Sequence, residues 1–358
     1  MKLVILAGGS GSRLWPVSRK DAPKQVKPII ANQTLLVKTY ERLRKGFLVR
    51  DIYVATNKDQ IGLIKKQLPN VPNKNFIVEP AKRDTAAAIG LAAVNFAKNN
   101  PKEIFININS DHFIKNEKEY LRVIKLAEKV IKKKPDTGVL IGVNPTYPET
   151  GYGYIKMGKQ EMEIDNTKIF KILKFVEKPD LKTTIKYMEK WEYLWNIGCF
   201  VWRVDTLLDL YKKHLRETYD SLMKIKNSIG TEKEDIILEK EFKKIKPISM
   251  DYGIIEKASK LFVVPADFGW ADVGNWRTVK DIVCKSKKKC LIKGKVLSIR
   301  GEDNLVYNYT DKLVAMVGVK GMVLIETNDT VLLCPKKCAQ DVKQIVKKLK
   351  EEGMTKYL

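Results

Sequence analysis

The first residues able to do chemistry lie at the end of an apolar run, where Lys2–Ala7 leads into Gly8-Gly9-Ser10-Gly11, with Arg13 and Lys24 following. Three glycines in four positions let backbone N–H groups converge on an anion with no Cβ in the way. Arg13 can hold phosphate oxygens through two parallel hydrogen bonds, and Lys24 adds a compact point charge. The spacing is not the G-x-G-x-x-G of a dinucleotide binder. Nor is it G-x-x-x-x-G-K-[ST], because no Lys-Thr or Lys-Ser follows the last glycine.

Two acidic blocks lie far downstream. Ile104–Ile114, IFININSDHFI, runs from an apolar strand pattern into Asp111 and His112. An aspartate there is either a helix cap or a hard oxygen ligand for a divalent cation. Val264–Trp276, VPADFGWADVGNW, carries Asp267 and Asp272, which can equally brace a turn. Asp111 falls just beyond a strand's carboxyl end, where open α/β sheets present their ligands.

The run Leu6–Gln25, LAGGSGSRLWPVSRKDAPKQ, resembles the signature of the sugar-nucleotide pyrophosphorylases, G-x-G-x-R-x-x-P with P-K further on. Here it is Gly9, Gly11, Arg13, Pro16 and then Pro23-Lys24, and Trp15 with Pro23-Lys24-Gln25 is similar to the mannose-1-phosphate guanylyltransferase branch. The resemblance implies transfer of GMP from GTP to α-D-mannose 1-phosphate, giving GDP-mannose and pyrophosphate. It implies that Leu6, Ala7, Gly8, Gly9, Gly11, Ser12 and Arg13 line the nucleotide, and that Arg13 and Lys24 neutralise charge during transfer. Asp111, in S-D-H, and Asp272, in the D-x-G step after Gly269-Trp270, become the ligands of Mg²⁺ or another divalent cation. Mg²⁺ suits two carboxylates because it keeps waters and takes phosphate oxygens at its remaining positions. His112 is read as a structural neighbour and not as a general base, because a sugar phosphate is already ionised at neutral pH.

Glu79–Ala88, EPAKRDTAAA, resembles the family's E-P-x-x-R-N-T-A-P-A block beside the base, retaining Glu79, Arg83 and Thr85. Asp84 stands where Asn is usual and Ala87 where Pro is usual. The flexible glycine turn at Gly153 in ETGYGYI lets the backbone approach a sugar, and by the same resemblance Glu177 and Lys178 in FVEKPD and Asn196 in WNIGCF belong to the sugar-phosphate site, with Cys199 a departure beside it. On its own a Glu-Lys pair is most often a surface salt bridge worth at most ~1 kcal/mol. Met250–Ala258, MDYGIIEKA, completes the match, with Asp251 read as architectural. The blocks span residues 3 to 276.

These residues need a scaffold that delivers strand ends to one side. Lys2–Ala7 reads as a strand buried on both faces and therefore parallel. Strands are expected near Ile52–Ala55, Phe76–Val78, Ile104–Asn107 and Val139–Gly142. Helices fall between them near Leu35–Arg44, Gln60–Leu68, Thr85–Lys98 and Tyr120–Lys133, with Asp84 or Thr85 capping the third. This alternation implies an α/β fold, an open, mostly parallel Rossmann-like sheet with helices on both faces. Residues Tyr152–Phe175 turn strand-rich, with turns at Gly151, Gly153 and Gly158. A helix near Leu181–Lys190 and a strand at Gly198–Trp202 follow. Beyond about Lys285, short apolar strands at Lys295–Ile299, Leu313–Val317, Met322–Glu326 and Thr330–Leu333 form a small all-β unit, which resembles the family's β-helical tail. Val342, Ile345, Val346 and Leu349 give it a closing amphipathic helix. The expected division is a nucleotidyltransferase domain over 1–284 and a β-helix-like domain over 285–358.

The 358 residues are 44% apolar, enough for such an arrangement, and no run approaches a signal peptide or the ~20 apolar residues of a membrane span. A cytoplasmic protein with no membrane partner is expected. The five cysteines form no C-x-x-C pair and the chain has two histidines, so reduced thiols are expected and a zinc site is not. Lys and Arg outnumber Asp and Glu by 67 to 42, a formal charge of +25. That excess attracts anionic substrates. The densest cluster, Lys285 to Lys289, lacks interleaved aromatics and reads as a solvated turn, so no nucleic-acid partner is expected. Rival readings are a transferase of the same fold using another sugar phosphate or nucleoside triphosphate, and a silent regulatory subunit that binds sugar nucleotides. A silent subunit would be expected to lose Arg13, Lys24 or the metal aspartates, and all are kept. The expected partners are GTP, mannose 1-phosphate and a second copy in a homodimer.

Overall fold

Buried parallel strands need apolar residues on both faces, and β1 (Lys2–Leu6) meets this with Leu3, Val4 and Ile5 fully inaccessible. The computed structural model describes every residue except 10, 20–22, 31, 285 and 287. Ser10 of the glycine turn, and Lys285 and Lys287 of the lysine cluster at the expected domain boundary, therefore lie outside the described residues. The strands in chain order are β1, β2 (Ile52–Asn57), β3 (Phe76–Glu79), β4 (Ile104–Asn109) and a short β5 (His112–Ile114). Next come β6 (Gly138–Val143), β7 (Tyr154–Ile164), β8 (Thr167–Val176), β9 (Tyr193–Arg203), β10 (Leu261–Ala266) and a short β11 (Trp270–Asp272). The C-terminal strands are β12 (Leu291–Lys293), β13 (Val296–Ile299), β14 (Leu305–Asn308), β15 (Val314–Val317), β16 (Met322–Glu326) and β17 (Val331–Pro335).

The chain divides into two compact units. The first comprises residues 1–8, 40–109 and 114–270, and holds a nine-stranded sheet of order β3-β2-β1-β4-β9-β6-β10-β8-β7. Its β3-β2-β1-β4 half is parallel, in register Leu3↔Ile52, Leu6↔Asn109 and Asn57↔Glu79. This α/β sheet has the expected fold class, but β9 lies antiparallel between β4 and β6. The apolar run Val139–Val143 marks a buried strand without revealing its neighbour, since burial patterns carry no strand direction.

The helix Asp84–Asn99 packs its alanines into the core of this unit. Gly90 lies on that face, where an added Cβ would stand 2.6 Å from Leu222 Cδ1, so its lack of a side chain lets two helices approach. Neither expected cap operates here. Arg83 is the N-cap residue, and Asp84 sits inside the helix with φ 65°, its carboxylate accepting from Thr85 N at 2.7 Å. Thr85 Oγ1 instead accepts from Met250 N at 2.8 Å. Gly158, expected in a turn, lies within β7, where pairing with β8 slips in register.

The second unit comprises residues 9–39, 110–113 and 271–358. Its C-terminal strands form a small parallel coil, with β12, β14 and β16 side by side, β17 antiparallel at the edge, and β13 paired with β15. Asn304 and Asn308 pin its turns: Asn304 Nδ2 donates to Val319 O at 2.7 Å and Asn308 Nδ2 to Lys312 O at 2.6 Å. The core joins Leu14, Trp15, Val17 and Ile29 to Trp276, Leu305, Tyr307, Val323, Ile325 and Val342. The indole of Trp15 donates to Tyr357 O at 2.7 Å, and Trp276 Nε1 donates to Trp15 O at 3.0 Å. The N-terminal signature segment is thus built into the same core as the C-terminal strands. The closing amphipathic helix, Val342–Glu351, adds Val342, Val346 and Leu349 to it. All five cysteines are free thiols, and among the described residues no helix is long and apolar enough to cross a membrane.

Candidate active site

Within the second unit, Gly11 occupies the left-handed region at φ 64° and starts the 3-10 turn Ser12–Leu14 that carries Arg13. A Cβ at Gly11 would meet Lys24 Cγ at 2.7 Å and Ser18 Oγ at 2.8 Å, so the glycine turn lies directly on the Lys24 stem. Gln25 Nε2 donates to Gly9 O at 2.7 Å and ties the Lys24–Val26 turn back to the loop. The Lys24 ammonium is buried and ion-paired with Asp111. Burial opposes its charge, but Asp111 and then Asp272 outweigh that cost and hold the ammonium above its ordinary range. Asp111 shows the converse. Burial pushes its carboxyl up, and the charges of Lys24 and His112 overcome this and hold it below the usual range.

Asp272 joins this group through the backbone, where Val273 N donates to Asp111 O at 3.4 Å. Gly274 follows. An added Cβ there would lie 3.2 Å from Asp272 Oδ2 and 3.4 Å from Arg13 Nη2, so carboxylate and guanidinium flank one glycine. Arg13 Nη1 donates to Gln340 Oε1 at 3.2 Å, held from the 3-10 segment Lys336–Asp341. Asp111, His112 and Asp272 bring three donor atoms within 4.8 Å of one another. Two carboxylates beside a cation pair suit a divalent ion that also takes phosphate oxygens.

Two further clusters belong to the first unit. Asn196 N donates to Gly153 O at 2.8 Å, and a Cβ at Gly153 would stand 2.5 Å from Glu177 Oε2. Glu177 is ion-paired with Lys178. Asn196 Nδ2 donates to Asp251 Oδ1 at 2.9 Å, so Asp251 orients the amide, a closer role than architecture alone. Burial, reinforced by the charge of Glu177, raises the Asp251 carboxyl to about 7, with Lys178 and Asn196 opposing. Gly153, Glu177, Lys178 and Asn196 are thereby gathered in one place.

At the carboxyl ends of β1–β3 the backbone of Ala7 is fixed by Ala55 O at 2.8 Å and by the Thr56 hydroxyl at 3.0 Å. A Cβ on Gly8 would lie 3.7 Å from Asn57 Nδ2 and 3.8 Å from Glu79 Oε1. Burial, then the neighbouring Asp84, raises the Glu79 carboxyl to about 8. Arg83 turns its guanidinium to Lys243 O at 2.7 Å, and Thr85 is engaged by Met250 N, so of this block only Glu79 stands beside the Gly8 turn. Leu6, the last residue of β1, is part of the strand beneath. Sequence reasoning does not single out Gln340 or Asn57, and it assigns no contact to Gln25 or Gly274. Only Gly274 and Gln25 sit inside recognised motifs; Gln340 and Asn57 carry no local signal.

Comparison with known proteins identifies the family. Residues 2–289 match the nucleotidyl transferase family model, and 294–349 match a MannoseP isomerase/GMP-like beta-helix domain. Mannose-1-phosphate guanylyltransferase 2 of Escherichia coli O157:H7 is 36% identical, over 99% of this chain and 74% of that protein. The mannose-1-phosphate guanylyltransferase of Escherichia coli K12 is 34% identical, over 98% and 73%. A crystal structure from Thermus thermophilus, described as a mannose-1-phosphate geranyltransferase, superposes with a TM-score of 0.86 at 31% identity, covering 98% of this chain and 99% of that one. On these matches the chain belongs to the nucleotidyl transferase family, among the mannose-1-phosphate guanylyltransferases.

Proposed function

We propose that the protein transfers GMP from GTP to α-D-mannose 1-phosphate, releasing pyrophosphate. The gathering of Arg13, Lys24, Asp111 and Asp272 within one unit carries this reading. A phosphate oxygen of mannose 1-phosphate attacks the α-phosphorus of GTP in line with the bridging oxygen to the β-phosphorus. The new oxygen–phosphorus bond forms as the bond to that bridging oxygen breaks, and pyrophosphate leaves with the electron pair. The nucleophile is already anionic, so no side chain needs to take a proton. Arg13 and Lys24 stabilise the charge gathering on the transferred and leaving phosphates, and the burial of Lys24 and the fixed geometry of both make each contact count for more than in water. Mg²⁺ held by Asp111 and Asp272 would add charge neutralisation on the phosphate oxygens.

Gly8, Gly9, Gly11, Ser12 and the end of β1 at Leu6 and Ala7 are assigned to the nucleotide. Glu79 is assigned to the guanine edge, whose N–H donors its carboxyl oxygens can accept. Arg83 and Thr85 hold the surrounding backbone. Gly153, Glu177, Lys178 and Asn196 are assigned to the sugar and its phosphate. We assign transfer to residues 1–284 and a supporting role to 285–358, in a cytoplasmic homodimer with no nucleic-acid or membrane partner. The test is pyrophosphate release across four nucleoside triphosphates and a panel of sugar 1-phosphates. GTP with mannose 1-phosphate is expected to give the highest kcat/KM, and a clear preference for another pair would replace the assignment.

A further inference from the structure

We infer that His112 is a third metal ligand beside Asp111 and Asp272, and that the ion preferred at this site accepts nitrogen, Mn²⁺ or Co²⁺ ahead of Mg²⁺. The inference rests on the reading of the two aspartates as metal ligands and goes beyond it. One donor atom from each of the three residues lies within 4.8 Å of the other two. Donors bound cis to one octahedral ion at about 2.1 Å stand about 3.0 Å apart, so side-chain adjustments of up to about 2 Å close the set. The His112 side chain is 5% exposed, so its imidazole spends its polarity inside the protein. Asp111 and His112 are adjacent in sequence, and the Asp111 carbonyl is tied to Val273, next to Asp272, which brings all three residues to one point of the backbone.

The transfer chemistry leaves this histidine no proton to move, since the attacking phosphate is already ionised. Ligation gives it a role that the reaction lacks otherwise. An all-oxygen pair suits Mg²⁺, whereas an imidazole added to two carboxylates favours first-row transition ions. Three protein donors still leave about three positions of an octahedral ion for phosphate oxygens and water.

The test uses the full chain, stripped of metal with a chelator and titrated with Mn²⁺ alone, free Mn²⁺ being followed by its EPR signal. Pulsed EPR on the bound ion reads coupling to imidazole nitrogen, identified by ¹⁵N-histidine labelling. The chain has two histidines, and the other, His214, ends the helix Val204–His214 of the first unit. The expected result is imidazole coupling in the wild type and in His214→Asn, lost in His112→Ala. His112→Ala is expected to weaken Mn²⁺ binding by about 10- to 100-fold and Mg²⁺ binding by less than about threefold. Bound Mn²⁺ without nitrogen coupling, or equal loss of both ions in His112→Ala, overturns the inference. Should His112→Ala fail to fold, the wild-type nitrogen signal decides alone. Mn²⁺ binding that survives in both Asp111→Asn and Asp272→Asn would overturn the metal reading itself. Binding lost in those variants, with no nitrogen coupling in the wild type, would remove only His112.

Discussion

Replacing Gly11 by alanine separates backbone strain from pressure on Lys24. Gly11 has φ 64°, where a Cβ costs about 1–2 kcal/mol. The same Cβ would lie 2.7 Å from Lys24 Cγ and 2.8 Å from Lys24 Cβ, closer than packed carbons come, which adds an overpacking cost of about 1–3 kcal/mol. The Lys24 stem is buried and its ammonium is tied to Asp111, so relief of the clash moves the ammonium away from the carboxylate. Gly318 supplies the control. It lies in the same unit at φ 68° with nothing within 4 Å of an added Cβ. Gly318→Ala should therefore cost only the backbone term, about 1–2 kcal/mol, and leave kcat within about twofold of wild type. Gly11→Ala should be less stable by a further 1–3 kcal/mol or so and lose about 100-fold in kcat, as a displacement of order 1 Å at a charge-stabilising group does. Thermal melts and initial rates of pyrophosphate release read both. Equal losses in the two variants would refute the placement of the glycine turn on Lys24.

Trp15→Ala should destabilise the protein by about 3–5 kcal/mol, because Trp15 is buried in the second core and bonded to Tyr357 O; a melt unchanged from wild type would show the anchor to be idle. Glu79 gives a pH signature. Its folded carboxyl is raised to about 8, so the stability it contributes is full below its unfolded value near 4.5 and is lost as pH rises through about 8. Glu79→Gln should flatten the decline in melting temperature between pH 5 and 8, and a slope identical to wild type would contradict the burial of an ionisable group there. Gly90→Ala should cost about 1–3 kcal/mol through overpacking against Leu222, with kcat unchanged; a drop in kcat at full occupancy of both substrates would mean that the helix pair is coupled to the site.

The residues that read most clearly in the sequence are those whose function restricts backbone shape. Gly11 must tolerate a positive φ, and Asp111 must follow a strand end, so both leave a local pattern that chain order alone exposes. Long-range partners leave none. Trp15 reads as part of a motif, but its partner Tyr357 lies near the other end of the chain, and nothing local announces that the signature segment shares a core with the C-terminal strands. Gln340 reaches Arg13 for the same reason unseen. Only Gly198–Trp202 of the antiparallel β9 is expected from the sequence, whereas the strand runs from Tyr193 and uses Gly198 at φ 69° to pass Asn109. Asp84 does not cap its helix: Arg83 occupies the cap position, and Asp84, at φ 65°, spends its carboxylate on the adjacent Thr85 N. In the C-terminal coil β12 and β14 leave no readable pattern. β14 is buried throughout, Leu305 to Asn308, and four residues ending in asparagine are too few to show a period.

The central claim is that Asp272, distant in sequence from the glycine turn, acts with Arg13, Lys24 and Asp111 on the phosphates of one reaction. Its most direct test is the initial rate of pyrophosphate release from GTP and mannose 1-phosphate by wild type and by Asp272→Asn, both substrates and the divalent ion saturating and both proteins equally stable to heat. The expected outcome is a fall in kcat of about 100-fold or more. A variant that releases pyrophosphate at the wild-type rate would place the chemistry elsewhere.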